Sequence, residues 1–334
     1  MALGAVIAAS LVVAACGTPT TSTPPGSTPN ASLTACSVTA DQLSTGTGGT
    51  GTATKVSGIS GKLTIDGSSA LQPLVQAAAA EFDQANGTQT SVSAGGSGKG
   101  LADAASGAVQ VGMSDVFASE KETTPGQYSA LVDHQVAVVS FTLVVSNDLK
   151  GQVDNLTSDQ IVKIFTGQYT NWSQLGGPNK LISVINRPPT SGTRSVFDKW
   201  VLNGAKETAG TTLTEDNTGA VATAIKATPG SIGYVSIGFV TGPNKNDVSP
   251  VCINGAKAVA ADISSGAYKF WGVEHMYTKG NANAYEKALM QYILSDQLQK
   301  NDLVRLSYIP VGQVAASAIS AHTPSGAPAP ENLG

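Results

Sequence analysis

The chain has 334 residues, a formal net charge of −4, 41% hydrophobic residues and only 13% charged ones. That length suits two domains of ordinary size, with ample apolar material for a core. No basic block or aromatic-interleaved basic stripe occurs, which argues against a nucleic-acid surface. Any anion site must then rest on local donors rather than on a broad positive field.

Residues 1–16 read M-A-L-G-A-V-I-A-A-S-L-V-V-A-A-C. An apolar run of this length, ending in small residues, is short for a transmembrane helix and reads as an export signal. Its end, Val13–Cys16, is similar to a bacterial lipobox, in which the cysteine is acylated and becomes the mature N-terminus. The departure is a leading segment without Lys or Arg; the alternative is a plain secretory signal. Residues 17–60 are mostly Gly, Ser, Thr, Pro and Ala. They cannot bury a core and read as a disordered tether, spanning on the order of 35 Å. Lipid plus tether anchors a protein to a membrane without spanning it. Two further cysteines, Cys36 and Cys252, form an even pair in a disulfide-permissive compartment. Either they are bonded, or Cys36 lies in the tether and Cys252 is a buried thiol.

From Lys62 the texture changes. Lys62–Ile65 alternates as a strand, Asp66–Ser69 (D-G-S-S) is a turn, and Leu71, Leu74, Val75, Ala78 and Phe82 share one helical face. The unit recurs. Ser91–Ala94 is a short strand followed by G-G-S-G-K-G and a helix opening at Leu101. Val109–Asp115 is a strand ending on a carboxylate. His134 follows Asp133 in an expected loop and reads as solvated. Leu181–Asn186 is a strand that runs into R-P-P-T-S-G-T-R, Arg187–Arg194. Val196, Phe197, Trp200 and Val201 then follow at helical spacing, so a helix starts near Ser191 or Thr193.

That last motif puts two arginines at the end of a helix that favours anions. Three helix N-termini with hydroxyl residues and one carboxylate fall at the C-terminal ends of strands. In open α/β sheets that edge binds ligands, and helix N-termini present free N–H groups to anions. Each Ser alone is an ordinary N-cap, and each Gly alone is turn chemistry; the convergence points to an anion. G-S-G-K-G is not a nucleotide phosphate loop, because Gly100 follows Lys99 where Ser or Thr is needed. Around Ser97 the nucleophile-elbow pattern lacks its final glycine. The three histidines, His134, His275 and His322, have no metal-ligand spacing.

Taken in order, D-G-S-S-A-L-Q-P-L, G-S-G-K-G-L, V-G-M-S-D, L-T-S-D-Q-I-V-K-I-F-T-G, N-W-S-Q-L-G-G, R-P-P-T-S-G-T-R and S-I-G-Y-V-S give a resemblance. From about Lys62 to Ile319 the chain resembles the PstS-type phosphate-binding subunits of bacterial phosphate ABC importers. The resemblance implies an α/β, two-lobed type II periplasmic binding protein with the ligand in the interlobe cleft. Lobe one would be residues 61–140 and 271–321, lobe two residues 141–270, and residues 322–334 a loose tail. Matched position by position, the phosphate ligands would be Ser69, the Ala70 N–H, Ser97, Asp115, Arg187, Ser191, Gly192 and Thr193. Some family members carry an acid where Pro189 stands here. Others share S-G-T-R, so Arg194 is expected beside the site, paired with Asp115 or with the anion. Lys99 is expected at the rim.

The resemblance further implies a monomer without cofactor or metal, which performs no chemistry on phosphate and hands it to membrane permease subunits. Asp115 fits an anion that still carries a proton, as phosphate does near neutral pH and sulfate does not. The rival readings are a binder of another tetrahedral oxyanion, of the sulfate or molybdate class, and a secreted phosphatase with Ser97 or Ser191 as nucleophile.

Overall fold

The structure, a computed structural model, describes Met1 and residues 38–43, 53–208, 210–213, 216–331 and 333. Cys16 and Cys36 lie outside the described residues, as does most of the expected signal and tether.

The described residues contain ten strands: β1 (Lys62–Gly67), β2 (Gln89–Val92), β3 (Val111–Ser114), β4 (Leu131–Val145), β5 (Asn155–Leu156), β6 (Ser183–Asn186), β7 (Thr211–Thr212), β8 (Ser231–Ser236), β9 (Ser249–Ile253) and β10 (Trp271–Lys279). They join in the order β2-β1-β3-β10-β4-β8-β6-β7, with β9 also on β4 and β5 on β9. Pairing is parallel on the two flanks, β2-β1-β3 and β8-β6-β7, and antiparallel where β10 and β4 run through the middle. The parallel pairs need crossovers, and helices Gln72–Asn86, Ser97–Ser106 and Thr218–Ala227 cover the sheet between strands.

β4 is the organising strand. Its residues Leu131–Ser140 pair with β10, and from Phe141 onward it pairs with β8 and β9 instead. Its sequence is rich in Val and nearly every residue is buried, as expected of a strand covered on both faces. The partner change coincides with a hydrogen bond of 3.0 Å from the Phe141 N–H to the Phe270 carbonyl, just before β10 begins.

Two expectations are corrected here. His134 is not solvated in a loop: it lies inside β4, fully buried, with Nε2 2.9 Å from Thr278 Oγ1. The polar run D-H-Q interrupted the apolar pattern, because Asp133 and His134 face polar partners on β10 rather than water. The Asp133 carboxylate likewise meets His275 Nδ1 at 2.7 Å. The segment from His322 is not loose either. The His322 ring stacks between Trp200 and Trp271, with centroids 4.0 and 3.7 Å away, the Glu331 N–H reaches the Asp133 carbonyl, and Leu333 is buried. Pro- and Ala-rich composition hid these few anchoring contacts. Cys252 is buried on β9 and disulfide-bonded, its partner lying outside the described residues.

Candidate anion-binding site

The site is built from loops that leave the C-terminal ends of strands. β1 ends at Gly67, whose φ of 137° and backbone contact with Met113 admit no side chain, since a Cβ would fall 2.1 Å from the Met113 carbonyl oxygen. The turn then delivers Ser68 and Ser69 to the start of helix Gln72–Asn86. Ser68 Oγ accepts from the Ala70 and Leu71 N–H groups at 3.0 Å each and donates to Asp115 Oδ1. The Ala70 N–H, expected to face the anion, is therefore held by Ser68. Ser97 opens helix Ser97–Ser106, is fully buried, and accepts from the Asp115 N–H at 3.0 Å.

On the other flank, β6 ends in Asn186 and hands the chain to Arg187. Ser191 caps helix Gly192–Val196 by accepting from the Arg194 N–H at 3.2 Å. Thr193, fully buried, donates to Asp115 Oδ2 at 2.9 Å. Gly192 is required by close approach: a Cβ there would stand 2.1 Å from Ser97 Oγ and 2.9 Å from Asp115 Cβ. The Gly98 N–H reaches the Thr190 carbonyl at 2.9 Å. The structure thus brings Ser69, Ser97, Asp115, Arg187, Ser191, Gly192 and Thr193 into one buried cluster, with Ala70 at its edge.

Arg187 is the hub and is 2% exposed. Nη1 donates to Thr193 Oγ1 at 2.9 Å and to Thr218 Oγ1 at 3.3 Å, Nη2 to Ser69 Oγ at 3.1 Å, and Nε to Asp216 Oδ1 at 3.0 Å. Asp216 and Thr218 were missed by the sequence reading. Asp216 pairs with the guanidinium through both Nε and Nη2. The acid that Pro189 denies the motif thus comes from a separate segment. The signal was weak: Asn217 caps helix Thr218–Ala227 through its side chain, but the preceding strand, β7, is only two residues long.

Arg194 is corrected. It does not pair with Asp115. Its Nη1 donates to the Arg187 carbonyl, and its Nε lies 3.7 Å from Glu207 Oε2. Burial pushes the Glu207 carboxyl up to about 7. Lys99, with half its side chain exposed, reaches Asp66 and Asp103 and stays outside the cluster. Lys121 was also missed. Its amine donates to the carbonyls of Pro189 at 2.9 Å and Ser191 at 2.7 Å, tying the segment after β3 to the Arg187 loop. Burial lowers this lysine to about 8, against the pull of Asp216 and Asp115.

Asp115 is 3% exposed. Burial raises its pKa, and the Ser68 hydrogen bond, the Arg187 charge and the Thr193 hydrogen bond oppose that rise. Chemically the cluster offers one guanidinium paired with Asp216, several hydroxyls and a second carboxylate, Asp115, in a dry setting. It suits a small oxyanion that presents mostly acceptors and one proton. Among the described residues no group of His, Cys, Asp and Glu could hold a metal ion, and no helix is long and apolar enough to cross a membrane.

An α/β sheet whose strand ends converge on such a cluster defines a solute-binding protein, and the comparisons agree. The family model for the PBP superfamily domain matches residues 44–297. The phosphate-binding protein PstS of Bacillus subtilis is 44% identical over 253 residues, covering 75% of this chain and 81% of that protein. A crystal structure from Clostridium perfringens, titled as a phosphate ABC transporter substrate-binding protein with bound phosphate, superposes with a TM-score of 0.66 at 25% identity. That match covers 75% of this chain and 99% of the other. Alkaline phosphatase L of Pseudomonas aeruginosa is 30% identical over 185 residues, covering 48% of this chain and 50% of that protein. The chain belongs to the PBP superfamily and, within it, to the PstS family of phosphate-binding proteins, with the type II periplasmic binding protein fold.

Proposed function

We propose that this protein captures inorganic phosphate outside the cytoplasm and delivers it to an ABC permease. The observation that carries the reading is Asp115: a buried carboxylate set beside the Arg187 guanidinium and accepting from the hydroxyls of Ser68 and Thr193. A carboxylate repels a fully ionised oxyanion but accepts the hydrogen bond of one that retains a proton. Monohydrogen phosphate is held and sulfate is turned away. Arg187 supplies charge-assisted donors, already oriented by Asp216. Ser69, Ser97, Ser191 and Thr193 supply hydroxyls, and the starts of their helices supply fixed dipoles.

The reading includes two lobes, residues 61–140 with 271–321 and residues 141–270. The change of β4 partners at Ser140/Phe141 supports that division. The contacts Gly98–Thr190, Ser69–Thr218 and Lys121–Ser191 would then be contacts of closure, made when the lobes come together over the ligand. Cys16 would carry a lipid and residues 17–60 the tether, as the Val13–Cys16 motif suggests, holding a monomer at the outer face of the cytoplasmic membrane. Cys36 is the proposed partner of the disulfide-bonded Cys252.

Calorimetry on phosphate-stripped protein tests the function. Phosphate should bind with one-to-one stoichiometry and sulfate should give no comparable heat; equal binding of both, or of neither, contradicts it. The partial likeness to a protein named as a phosphatase favours one control. A chromogenic phosphate ester should not be turned over, and sustained hydrolysis lost in Ser97→Ala or Ser191→Ala would replace the transport reading by an enzymatic one.

A further inference from the structure

Directly behind the anion cluster lies a second carboxyl group, Glu274, which the binding reading does not use. It sits in the middle of β10, between β3 and β4, and is 0% exposed. Gly272, two residues earlier and therefore on the same face of the strand, packs against the Asp115 backbone, where a Cβ would fall 2.7 Å from the Asp115 carbonyl oxygen. The next residue, His275, pairs with Ser114, which sets Glu274 beside Asp115; burial, and then the Asp115 charge and a hydrogen bond between the two carboxyls, push Glu274 well above the usual carboxylate range. Neither Glu274 oxygen finds a donor among the described residues, and no cation acts on the group. The other titratable neighbour is Tyr308, buried, whose hydroxyl donates to the Ala70 carbonyl and which both acids push further above its ordinary pKa. Arg187 and Asp216 reach the pair only through Asp115.

Two carboxylates cannot touch in a dry interior while both are charged; the contact requires a proton between them. Asp115 is the member with other donors, Ser68 on Oδ1 and Thr193 on Oδ2, and with the guanidinium nearby. Glu274 has none, so the proton belongs on Glu274. We propose that Glu274 is a neutral carboxylic acid that donates its hydrogen bond to Asp115, a positioning residue that keeps Asp115 an ionised acceptor facing the ligand. This rests on the reading of Asp115 as the group that meets the phosphate proton. Without the third donor, burial would tip Asp115 itself toward the protonated state. A protonated Asp115 donates to sulfate as readily as to phosphate. Glu274 thus sets selectivity without contacting the anion.

Two variants and two readouts test this. Glu274→Gln keeps the shape and offers an amide N–H in place of the acid proton. Glu274→Leu removes the donor. In the infrared spectrum at neutral pH the parent should show a protonated-carboxyl carbonyl band that Glu274→Gln lacks, with or without phosphate present. Competition by sulfate against labelled phosphate should leave Glu274→Gln within about twofold of the parent. For Glu274→Leu the phosphate preference should fall by about tenfold or more and recover as pH rises and Asp115 ionises. Absence of the band overturns the proposal. So does a Glu274→Leu selectivity equal to the parent's at every pH, or an equal loss in both variants. The band is read without any ligand, so its outcome stands apart from that of the phosphate reading, which the Asp115→Asn variant tests. If Glu274→Leu does not fold, the band and the Glu274→Gln competition still decide.

Discussion

Arg187 distributes its donors among Asp216, Thr193, Thr218 and Ser69 while being almost wholly buried. These hydrogen bonds hold the planar guanidinium in one orientation, a geometric control that a lysine in its place would lack. Arg187→Ala should therefore nearly abolish phosphate binding, since each charge-assisted hydrogen bond lost is worth about 1.5–3 kcal/mol. Lys99→Ala should change it by less than about 1 kcal/mol, because that amine is half exposed and engaged by Asp66 and Asp103. Calorimetry on both variants checks the contrast, and equal losses would move the site toward the G-S-G-K-G turn. Most of these residues were legible because each sits beside a strand-to-helix turn with hydroxyls and glycine. Asp216 was not, since β7 is too short to show a period. The motif around Arg187 has Pro189 where some relatives carry an acid, and Arg194 was expected beside the site, paired with Asp115 or with the anion. Its real partner, Glu207, is a buried acid from a stretch without pattern.

At the level of elements, the cluster depends on loops from different strands approaching closer than side chains normally allow. Gly96 against Asp216, where a Cβ would fall 1.8 Å from Oδ2, and Gly192 against Ser97 are examples. Lys121 closes the same gap from the short helix Ala118–Lys121, with two carbonyls of the Arg187 loop as acceptors. Its amine titrates near 8 in the folded protein and near 10.4 in an unfolded chain. Between those values the unfolded state holds the extra proton, so this group makes the protein more stable as pH rises from 8 to 10. The parent should accordingly gain on Lys121→Met over that window, by on the order of 1–3 kcal/mol in urea unfolding. A parent-to-variant difference that stays constant from pH 8 to 10 would show that the amine is not held as described. Nothing in the sequence marked this lysine, because its acceptors are backbone carbonyls some seventy positions away.

Across the whole molecule, β4 and β10 join the flanks of one continuous sheet, and β4 changes partners at Ser140/Phe141. The α/β class followed from strand–turn–helix units with clean periods. The C-terminal segment and His134 escaped because their burial depends on contacts with β10, Trp200 and Trp271, distant in sequence. The proposed anchor is likewise a whole-molecule matter. Cys16→Ser should release the protein from the membrane fraction while leaving phosphate affinity unchanged. A variant that still sediments with membranes would refute the anchor and leave the binding site untouched.

On the proposed reading, selectivity for phosphate rests on the charge of Asp115. Asp115→Asn removes it while preserving shape, and its amide can turn an N–H toward the anion. Phosphate should bind similarly or more weakly, since a charge-assisted hydrogen bond becomes a neutral one of about half the strength. Sulfate, no longer repelled, should compete against labelled phosphate at least about tenfold better than with the parent, a gain of about 1.4 kcal/mol. If sulfate competes no better with Asp115→Asn than with the parent, Asp115 does not read the ligand's proton, and the assignment of phosphate over other tetrahedral oxyanions loses its physical basis.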